Sequence, residues 1–391
     1  MNIAIFTDND FGKVNGVTTT LTAALDHAPP GMHLRIYTAA VLPVDAPDYL
    51  ALKSFGVPIP FYGEMDMFVP RLRAYVAQAR TEQMDVIHLT TPGPIGLAGM
   101  YAAWRLRLPM VGNFHTDLAA YTAVLSGSPR LGALMREYMR WPYGKGARVL
   151  VPSEDTRRLL IGAKGHADRI EVWPRGVDTS LFSPDRRSRH LRDTWHVSEN
   201  RPAILYVGRI SREKGLHLLA PIQRRLHALG IEHRFIIAGD GPLLGELRRQ
   251  MPDAIFTGVL PRQAIADAFA SSDVFVFPSR TDTAGNVVLE AQASGVPVVV
   301  ADEGGPRENM VDGSTGTVCS GDAPDRWSGA IARVLQPGVR EPMAATAREY
   351  ALTRQWAQAL QPLYRAYRDV CPVTAPAAGD GMLRVSAGHR L

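Results

Sequence analysis

Short apolar runs alternate with amphipathic stretches along most of this chain. Each apolar run, bounded by glycine, proline or polar residues, predicts a buried strand. The stretches between them place apolar residues every three or four positions, which predicts helices packed on one face. Such alternation is typical of α/β proteins with parallel sheets covered on both faces. The predicted strands begin at residues 3, 34, 86, 109, 148, 169, 203, 234, 254, 273 and 296.

The alternating pattern stops near residue 184 and restarts near residue 201. A chain of 391 residues is too long for one ordinary core and predicts two domains. We expect two doubly wound, Rossmann-like domains over residues 1–184 and 201–342, joined by the charged connection 185–200. A terminal helix over residues 343–371 and a patternless tail over residues 372–391 complete this division.

Residues 43–70 interrupt the pattern because prolines are concentrated there. Proline fixes φ and removes a backbone donor, so we expect a surface excursion with little regular structure. The prolines of this stretch include Pro43, Pro47, Pro58, Pro60 and Pro70.

One predicted helix admits two interpretations. It is a core-facing helix with a basic solvent side, or it is an amphipathic helix that lies on a membrane surface. Residues 101–175 carry 12 basic and 6 acidic side chains, whereas residues 1–100 carry 6 and 9. That uneven charge would suit an anionic surface, although a solvated arginine-rich face is the simpler explanation. The apolar face of this helix consists of Leu131, Leu134, Met135, Tyr138 and Met139.

Composition indicates a globular protein, with 46% hydrophobic and 21% charged residues and a net charge of only +5. The chain opens on a predicted strand without the features of a signal peptide, and no stretch reaches about 18 apolar residues. Cys319 and Cys371 form neither a disulfide framework nor a metal site, which favours a reducing cytoplasm. We expect a cytoplasmic protein, with peripheral contact at the inner face of the membrane as an open option and no nucleic-acid partner.

The stretch 279–295 holds the densest candidate chemistry. It lies between two predicted strands, so its loop stands at the carboxyl end of a parallel strand, where α/β sheets bind ligands. Asp282 in the loop and Glu290 in the following helix supply two carboxylates. Ala284 and Gly285 leave backbone N–H groups open beside a helix N-terminus, which suits a phosphate. A nucleotide sugar is an anionic ligand with hydroxyls and fits both features.

Two further loops follow predicted strands in the first half. His115 and Asp117 follow one strand, and a histidine there can face a ligand or serve the core. The loop after the first strand ends at Gly16, which lets backbone approach a ligand closely. We reject a metal site at Asp8 and Asp10, because two carboxylates on a loop without further ligands rarely hold a cation.

Four motifs in one order resemble those of the retaining glycosyltransferases of family 4. This family has the GT-B fold, in which two Rossmann-like domains face a central cleft. The resemblance covers roughly residues 1–370 and is closest to bacterial mannosyl- and sulfoquinovosyl-type lipid or glycan transferases. The first acid of the last motif is aspartate here, where the family usually has glutamate. The motifs are Asn15-Gly-Val17, His115-Thr-Asp117, Arg209 with Glu213-Lys-Gly215, and Asp282 with Glu290.

The resemblance implies a role for each of these side chains. The first domain would take the acceptor, and the second would bind most of the donor nucleotide. Glu290 would accept hydrogen bonds from the ribose, while Arg209 and Lys214 would meet the diphosphate. Asp282 would hold sugar hydroxyls, and His115 would contact the donor sugar near the reaction centre.

The resemblance also implies backbone contacts to the donor. N–H groups near Gly285, Asn286 and Val287, with Gly16 from the opposite domain, would close around the phosphates and the sugar. Backbone near Val259 would read the base.

The expected activity is transfer of a mannose-type or glucose-type hexose to a hydroxyl of a lipid or glycan. No nucleophile stands out, in keeping with retaining chemistry in which the enzyme supplies orientation and electrostatics. We expect neither cofactor nor metal, because arginine and lysine neutralise the phosphates. GDP-mannose and UDP-hexoses both remain open as donors. A GT-B-type sugar-nucleotide epimerase and a non-catalytic nucleotide-sugar-binding protein remain the alternatives.

Overall fold

The computed structural model shows two α/β units, each built on a parallel sheet. The predicted tail over residues 372–391 lies outside the described part of the chain. The described residues are 1–11, 15–38, 47–52, 56–59, 62–161 and 167–371.

All of the strands that the sequence predicts are present in the described residues. The strands are β1 (Asn2–Phe6), β2 (His33–Thr38), β3 (Tyr49–Ala51), β4 (Gly56–Ile59), β5 (Tyr62–Phe68), β6 (Val86–Leu89), β7 (Met110–Asn113), β8 (Arg148–Val151), β9 (Ile170–Val172), β10 (Ala203–Val207), β11 (Arg234–Ala238), β12 (Ile255–Gly258), β13 (Val274–Phe277), β14 (Val298–Ala301) and β15 (Gly316–Cys319).

The predicted helices are present as well, and α4, α7 and α9 are additional. The helices are α1 (Gly16–Asp26), α2 (Leu72–Thr81), α3 (Pro94–Leu106), α4 (Leu118–Ser126), α5 (Pro129–Tyr143), α6 (Glu154–Ile161), α7 (Arg189–Thr194), α8 (Leu219–Ala228), α9 (Leu244–Gln250), α10 (Arg262–Ala270), α11 (Asn286–Ala293), α12 (Pro324–Val334), α13 (Pro337–Leu352), α14 (Trp356–Ala359) and α15 (Gln361–Val370).

The two large sheets have the doubly wound topology that the sequence predicts. The first has the order β3-β2-β1-β6-β7-β8-β9, and the second has the order β12-β11-β10-β13-β14-β15. Neighbouring strands pair in parallel throughout both sheets. The carboxyl ends of the strands in each sheet therefore share one edge, and the ligand loops lie there.

Strand β1 shows how the apolar pattern builds the core of the first unit. Ala4 and Phe6 join the cluster on one face of the sheet, while Ile3 and Ile5 join the cluster on the other. Alternate side chains of a strand point to opposite faces, so a continuous apolar run is needed where helices cover both. Full burial of a side chain such as Phe6 contributes about 1.5–3 kcal/mol.

The expectation of little regular structure over residues 43–70 was wrong for the part that the structure describes. β3 pairs in parallel with β2 at the edge of the first sheet, and β4 and β5 form an antiparallel hairpin. Pro58 lies within β4. A two-stranded hairpin has free edges, so proline can occupy it without costing a central ladder bond.

The single terminal helix expected over residues 343–371 is three helices. α13 packs against α11 and α12 of the second unit, whereas α15 packs against β7 and β8 of the first. The indole N–H of Trp173 donates to the carbonyl of Ala359 at 2.7 Å, and the Tyr364 hydroxyl donates to the carbonyl of Ala24 at 2.9 Å. The chain thus returns to the first unit after α13.

The connection 185–200 is more ordered than its charged sequence predicts. It contains α7 and is tied to the second unit through the buried Asp273. Arg187 and Arg192 donate to the Asp273 carboxylate at 2.8 and 2.9 Å, and Arg340 donates at 3.4 Å. Three guanidinium groups therefore compensate one buried carboxylate.

Candidate functional site

Loops from the carboxyl edges of both sheets meet in one cleft. The Thr283 hydroxyl of the second unit donates a hydrogen bond to the carbonyl of His115 in the first. The Asn286 side-chain amide donates to the carbonyl of Gly16 at 3.4 Å, also across the cleft. The two halves of the sequence-predicted site therefore face each other.

A second contact between the units lies at the N-terminus of α6. The Glu308 carboxylate accepts hydrogen bonds from the backbone N–H groups of Glu154 and Asp155 at 2.7 and 2.9 Å. Arg307 donates to both oxygens of the Asp155 carboxylate at 2.8 and 2.7 Å. A carboxylate at a helix N-terminus is stabilised by the helix dipole, so these contacts hold the units together at this point.

The loop from β13 to α11 places the acidic motif at the cleft. Gly285 caps α11 with φ of 68°, and no side chain caps this helix. A Cβ at Gly285 would lie 2.8 Å from Pro306, so the loop requires glycine for space as well as for its left-handed backbone. Asn286 and Val287 follow as the first helical residues, where backbone N–H groups suit an anion.

Lys214 and Asp282 form a half-buried ion pair between two loops of the second unit. The Lys214 ammonium lies 2.8 Å from both oxygens of the Asp282 carboxylate and 6.0 Å from the centre of the Phe277 ring. Burial alone would lower the pKa of Lys214. The Asp282 charge and the hydroxyls of Tyr121 and Tyr206 outweigh burial and hold that pKa well above its usual range. Lys214 is therefore a fixed cation at neutral pH.

Glu290 lies one turn into α11 as a half-buried carboxyl. Burial raises its pKa to about 7, against a lowering effect of the positive charge on Arg262. None of the described residues donates a hydrogen bond to this carboxylate. A carboxyl whose hydrogen-bonding capacity is open at a cleft suits a ligand with hydroxyl donors.

His115 is 7% exposed and lies beside Arg175, which is 2% exposed. Arg175 Nη2 lies 3.1 Å from His115 Nδ1, and Nε2 of the imidazole has no hydrogen-bond partner. Burial lowers the pKa of His115 well below its usual range, and Arg175 and His88 lower it further. The imidazole is therefore neutral at physiological pH.

The other predicted donor residues lie on loops of the second unit. Arg209 is half-buried after β10, where its carbonyl accepts a hydrogen bond from the Tyr206 hydroxyl at 2.9 Å. Val259 follows β12 and is 77% exposed. Both lie at the carboxyl edge of the second sheet, as the sequence predicts.

Sequence analysis missed three residues at this cleft. Arg175 and Thr283 are polar residues to which the sequence analysis assigned no role. Tyr121 belongs to α4, which the sequence did not predict and which packs against the turn at residues 212–214. Thr283 could have been found from its place directly beside Asp282, whereas neither Arg175 nor Tyr121 carries such a signal.

The expectation of a core-facing apolar stripe on α5 was partly wrong. Met139 is buried, but Leu131 and Leu134 are 46% and 68% exposed. The helix instead packs through Gly132, where an added Cβ would lie 2.7 Å from the Ala123 side chain of α4. Because glycine is not scored as apolar, the pattern wrongly extended the core-facing side to Leu131 and Leu134.

No cluster of three or more histidine, cysteine or acidic side chains with metal-site geometry occurs in the described part of the chain. Over the same residues, no helix combines the length and the apolarity that crossing a bilayer requires.

Two family descriptions match the chain, one for each unit. "Glycosyltransferase Family 4" matches residues 14–181, and "Glycosyl transferases group 1" matches residues 201–337. The chain is 31% identical over 382 residues to a GDP-mannose-dependent alpha-mannosyltransferase of Corynebacterium glutamicum. The aligned region covers 95% of this chain and 89% of that protein. A protein with the same description from Mycolicibacterium smegmatis is 32% identical and covers 91% and 94%.

Solved structures share the fold. The sucrose-phosphate synthase of Thermosynechococcus elongatus superposes with a TM-score of 0.77 at 19% identity, covering 94% of this chain and 98% of that one. The Anabaena protein HepE, solved with UDP and glucose, superposes with a TM-score of 0.72 at 19% identity, covering 93% and 98%. Two parallel-sheet units facing a cleft, with these neighbours, confirm the predicted GT-B fold.

Proposed function

Because this chain belongs to glycosyltransferase family 4, we propose that it transfers a hexose from a nucleotide-diphosphate sugar to a hydroxyl acceptor with retention of configuration. The observation that carries the proposal is the cleft in which His115 and Gly16 of one unit face Asp282 and Asn286 of the other. Relatives described as GDP-mannose-dependent mannosyltransferases favour GDP-mannose as the donor. UDP-hexoses are the second donor class.

In this proposal the second unit binds most of the donor. Glu290 accepts hydrogen bonds from the ribose, which its open carboxylate supports. Arg209 and Lys214 meet the diphosphate and stabilise the charge that grows as the nucleotide leaves. The exposed backbone at Val259 reads the base.

The sugar and the phosphates lie between the units. N–H groups at Gly285, Asn286 and Val287 point to the phosphates from the start of α11, and Gly16 closes the opposite side. The contact between Asn286 and Gly16 supports this arrangement, because it brings the two walls within hydrogen-bond distance.

Around the reacting carbon, Asp282 holds sugar hydroxyls while its other contacts keep Lys214 in place. The acceptor hydroxyl attacks the face that the nucleotide leaves, and a donor phosphate oxygen takes its proton. The bond from the anomeric carbon to the phosphate oxygen breaks as the bond to the acceptor oxygen forms. The enzyme contributes orientation and fixed charge, so no covalent intermediate is required.

We propose that the reaction needs no divalent metal, since Arg209 and Lys214 supply the positive charge. The rate is then unchanged by EDTA, and a rate restored only by added Mg²⁺ or Mn²⁺ would contradict this part of the proposal.

The finer proposal is a cytoplasmic location with a lipid acceptor at the inner membrane face. It is supported by large exposed side chains on α3 and α5 next to basic ones. Trp104 is 71% exposed and Trp141 is 53% exposed, with Arg105 and Arg140 close in sequence. Aromatic side chains with basic neighbours favour the membrane interface.

Incubation with a panel of labelled nucleotide sugars tests the proposal against its rivals. Labelled product that requires both GDP-mannose or a UDP-hexose and a lipid or glycan acceptor supports transfer. Release of an epimer without acceptor indicates a sugar-nucleotide epimerase. Binding without any turnover indicates a non-catalytic binding protein.

A further inference from the structure

Arg175 and His115 form a buried pair at the cleft. Arg175 follows β9 and His115 follows β7, so two loops of the first unit bring them together. Trp173 contacts both: the Arg175 guanidinium lies 4.7 Å from its ring centre, and the His115 ring centre lies 6.2 Å away. The pair is thus enclosed on one side by an indole.

A contribution to fold stability does not explain why Arg175 is buried. No described acidic side chain forms an ion pair with Arg175, and its Nη1 has no hydrogen-bond partner. Removing a guanidinium from water is costly, and the contact with Trp173 offsets only part of that cost. Asp273, by contrast, gathers three arginines around one carboxylate. Charged side chains that are buried without a counter-ion occur mainly at functional sites.

The contact between the two side chains fixes the position of the imidazole proton. A guanidinium has five N–H donors and no acceptor, so His115 Nδ1 must accept the hydrogen bond. In a neutral imidazole that accepts at Nδ1, the proton is on Nε2. Nε2 is the buried ring atom that has no partner.

We infer that Arg175 is a positioning residue that locks His115 as the tautomer protonated at Nε2, so that Nε2 donates to an oxygen of the bound donor sugar. The identity of that oxygen rests on the proposed function, but the tautomer does not. Locked in this way, His115 donates a hydrogen bond and does not act as a base. The ring is ready to bind its ligand without reorganisation.

The groups around His115 keep it neutral over the working pH range. Burial lowers the pKa of the imidazole, and the positive charge of Arg175 lowers it further. His88 on β6 acts in the same direction, and its own Nδ1 lies 2.6 Å from the Tyr367 hydroxyl. The second unit contributes a neutral group, the Thr283 hydroxyl, which bonds the backbone of His115.

Imidazole ¹⁵N NMR of the histidine-labelled full chain tests the inference directly. A His115→Gln variant assigns the resonances. The wild-type ring is expected to show an unprotonated Nδ1 and a protonated Nε2 at all pH values from about 6 to 8. A proton on Nδ1, or a ring that titrates in this range, overturns the inference.

Arg175→Met removes the obligate donor while keeping an unbranched side chain. We expect both tautomers of His115 to become populated, whereas an unchanged single tautomer would refute the role of Arg175. Arg192→Met is the matched control, because Arg192 is also buried and Asp273 keeps two other arginines. An equal change of tautomer in both variants would also refute that role.

Binding provides a readout that distinguishes positioning from simple loss of structure. Arg175→Met should weaken binding of the nucleotide sugar about tenfold while leaving the nucleoside diphosphate nearly unaffected. An equal loss for both ligands contradicts positioning at the sugar. If the wild-type chain binds no nucleotide sugar, the proposed function fails, and the NMR result still decides the tautomer.

Discussion

Lys214 and Asp282 are joined across 68 residues of sequence by hydrogen bonds of 2.8 Å from one ammonium to both carboxylate oxygens. Desolvating two charges costs more than an isolated pair usually returns, so such a pair is weak evidence for a role in stability. An ammonium has three donors, and two are used here. The third can reach a phosphate oxygen while Asp282 keeps the side chain in place.

Lys214→Ala should lower turnover by about 100-fold or more, as loss of one preorganised charge-stabilising donor does. Lys214→Arg should restore little, because a planar guanidinium does not fit a site shaped by a compact ammonium. Lys145→Ala, which removes an exposed lysine, is the control and should leave the rate unchanged. Steady-state rates with saturating donor decide the matter. A Lys214→Arg enzyme of near-normal rate would show that charge alone matters.

Glu290→Ala should weaken binding of the nucleoside diphosphate by about 1.5–3 kcal/mol, the range for hydrogen bonds to a charged group. Calorimetric titration of the folded variant measures this. Unchanged affinity would remove Glu290 from the donor site.

The pKa of Glu290 gives this prediction a pH dependence. Burial raises that pKa to about 7, so the carboxyl is mostly neutral below neutrality and ionised above it. Ribose hydroxyls donate best to the ionised form, so the affinity of wild-type protein relative to Glu290→Gln should rise between about pH 6 and pH 8. The ratio to the variant cancels the titration of the ligand's own phosphate. A ratio that is flat or falls with pH contradicts the assignment.

Gly285→Ala should destabilise the protein more than Gly313→Ala. Both glycines have a left-handed backbone, with φ of 68° and 75°, so both substitutions carry about 1–2 kcal/mol of strain. Only at Gly285 would the new Cβ also meet Pro306 at 2.8 Å, whereas Gly313 has nothing within 4 Å. Thermal or denaturant unfolding of the two variants compares them. Equal destabilisation would mean that the loop can shift away from Pro306 and that Gly285 does not fix the geometry of the site.

Anionic liposomes should bind the protein through the exposed apolar and basic side chains of α3 and α5. Binding should fade with added salt, and Leu134→Ser should reduce it because Leu134 is 68% exposed. Leu229→Ser is the matched control, since Leu229 is also exposed but lies in the second unit. Equal sedimentation with neutral and anionic liposomes would exclude this mode of association.

The sequence predicted the sheets well because their strands are buried on both faces and carry continuous apolar runs. Ile3 and Phe6 pack on opposite faces of β1, and a strand that is buried on both sides has no polar face. The loops at strand ends were also predictable, because their position follows from the order of the elements. The order of the elements therefore places Asp282 and Glu290 at a strand end, whereas Lys214 is predicted only by the resemblance to family 4.

Features that depend on tertiary contact could not be predicted in this way. The register of α5 rests on Gly132 fitting against Ala123, which no apolar pattern reveals. The break between α13 and α14 follows from packing on two different units. Arg175 escaped notice because an arginine in sequence gives no sign of burial, and only its contact with His115 shows its importance.

The anomeric configuration of the product tests the central claim most directly. Proton NMR of the material formed from GDP-mannose, or from the UDP-hexose that the chain accepts, reports the new glycosidic bond. We predict an α-linked product from the α-linked donor, formed with one nucleoside diphosphate per sugar transferred. A β-linked product, an epimerised nucleotide sugar, or no new glycosidic bond with any donor would contradict the account.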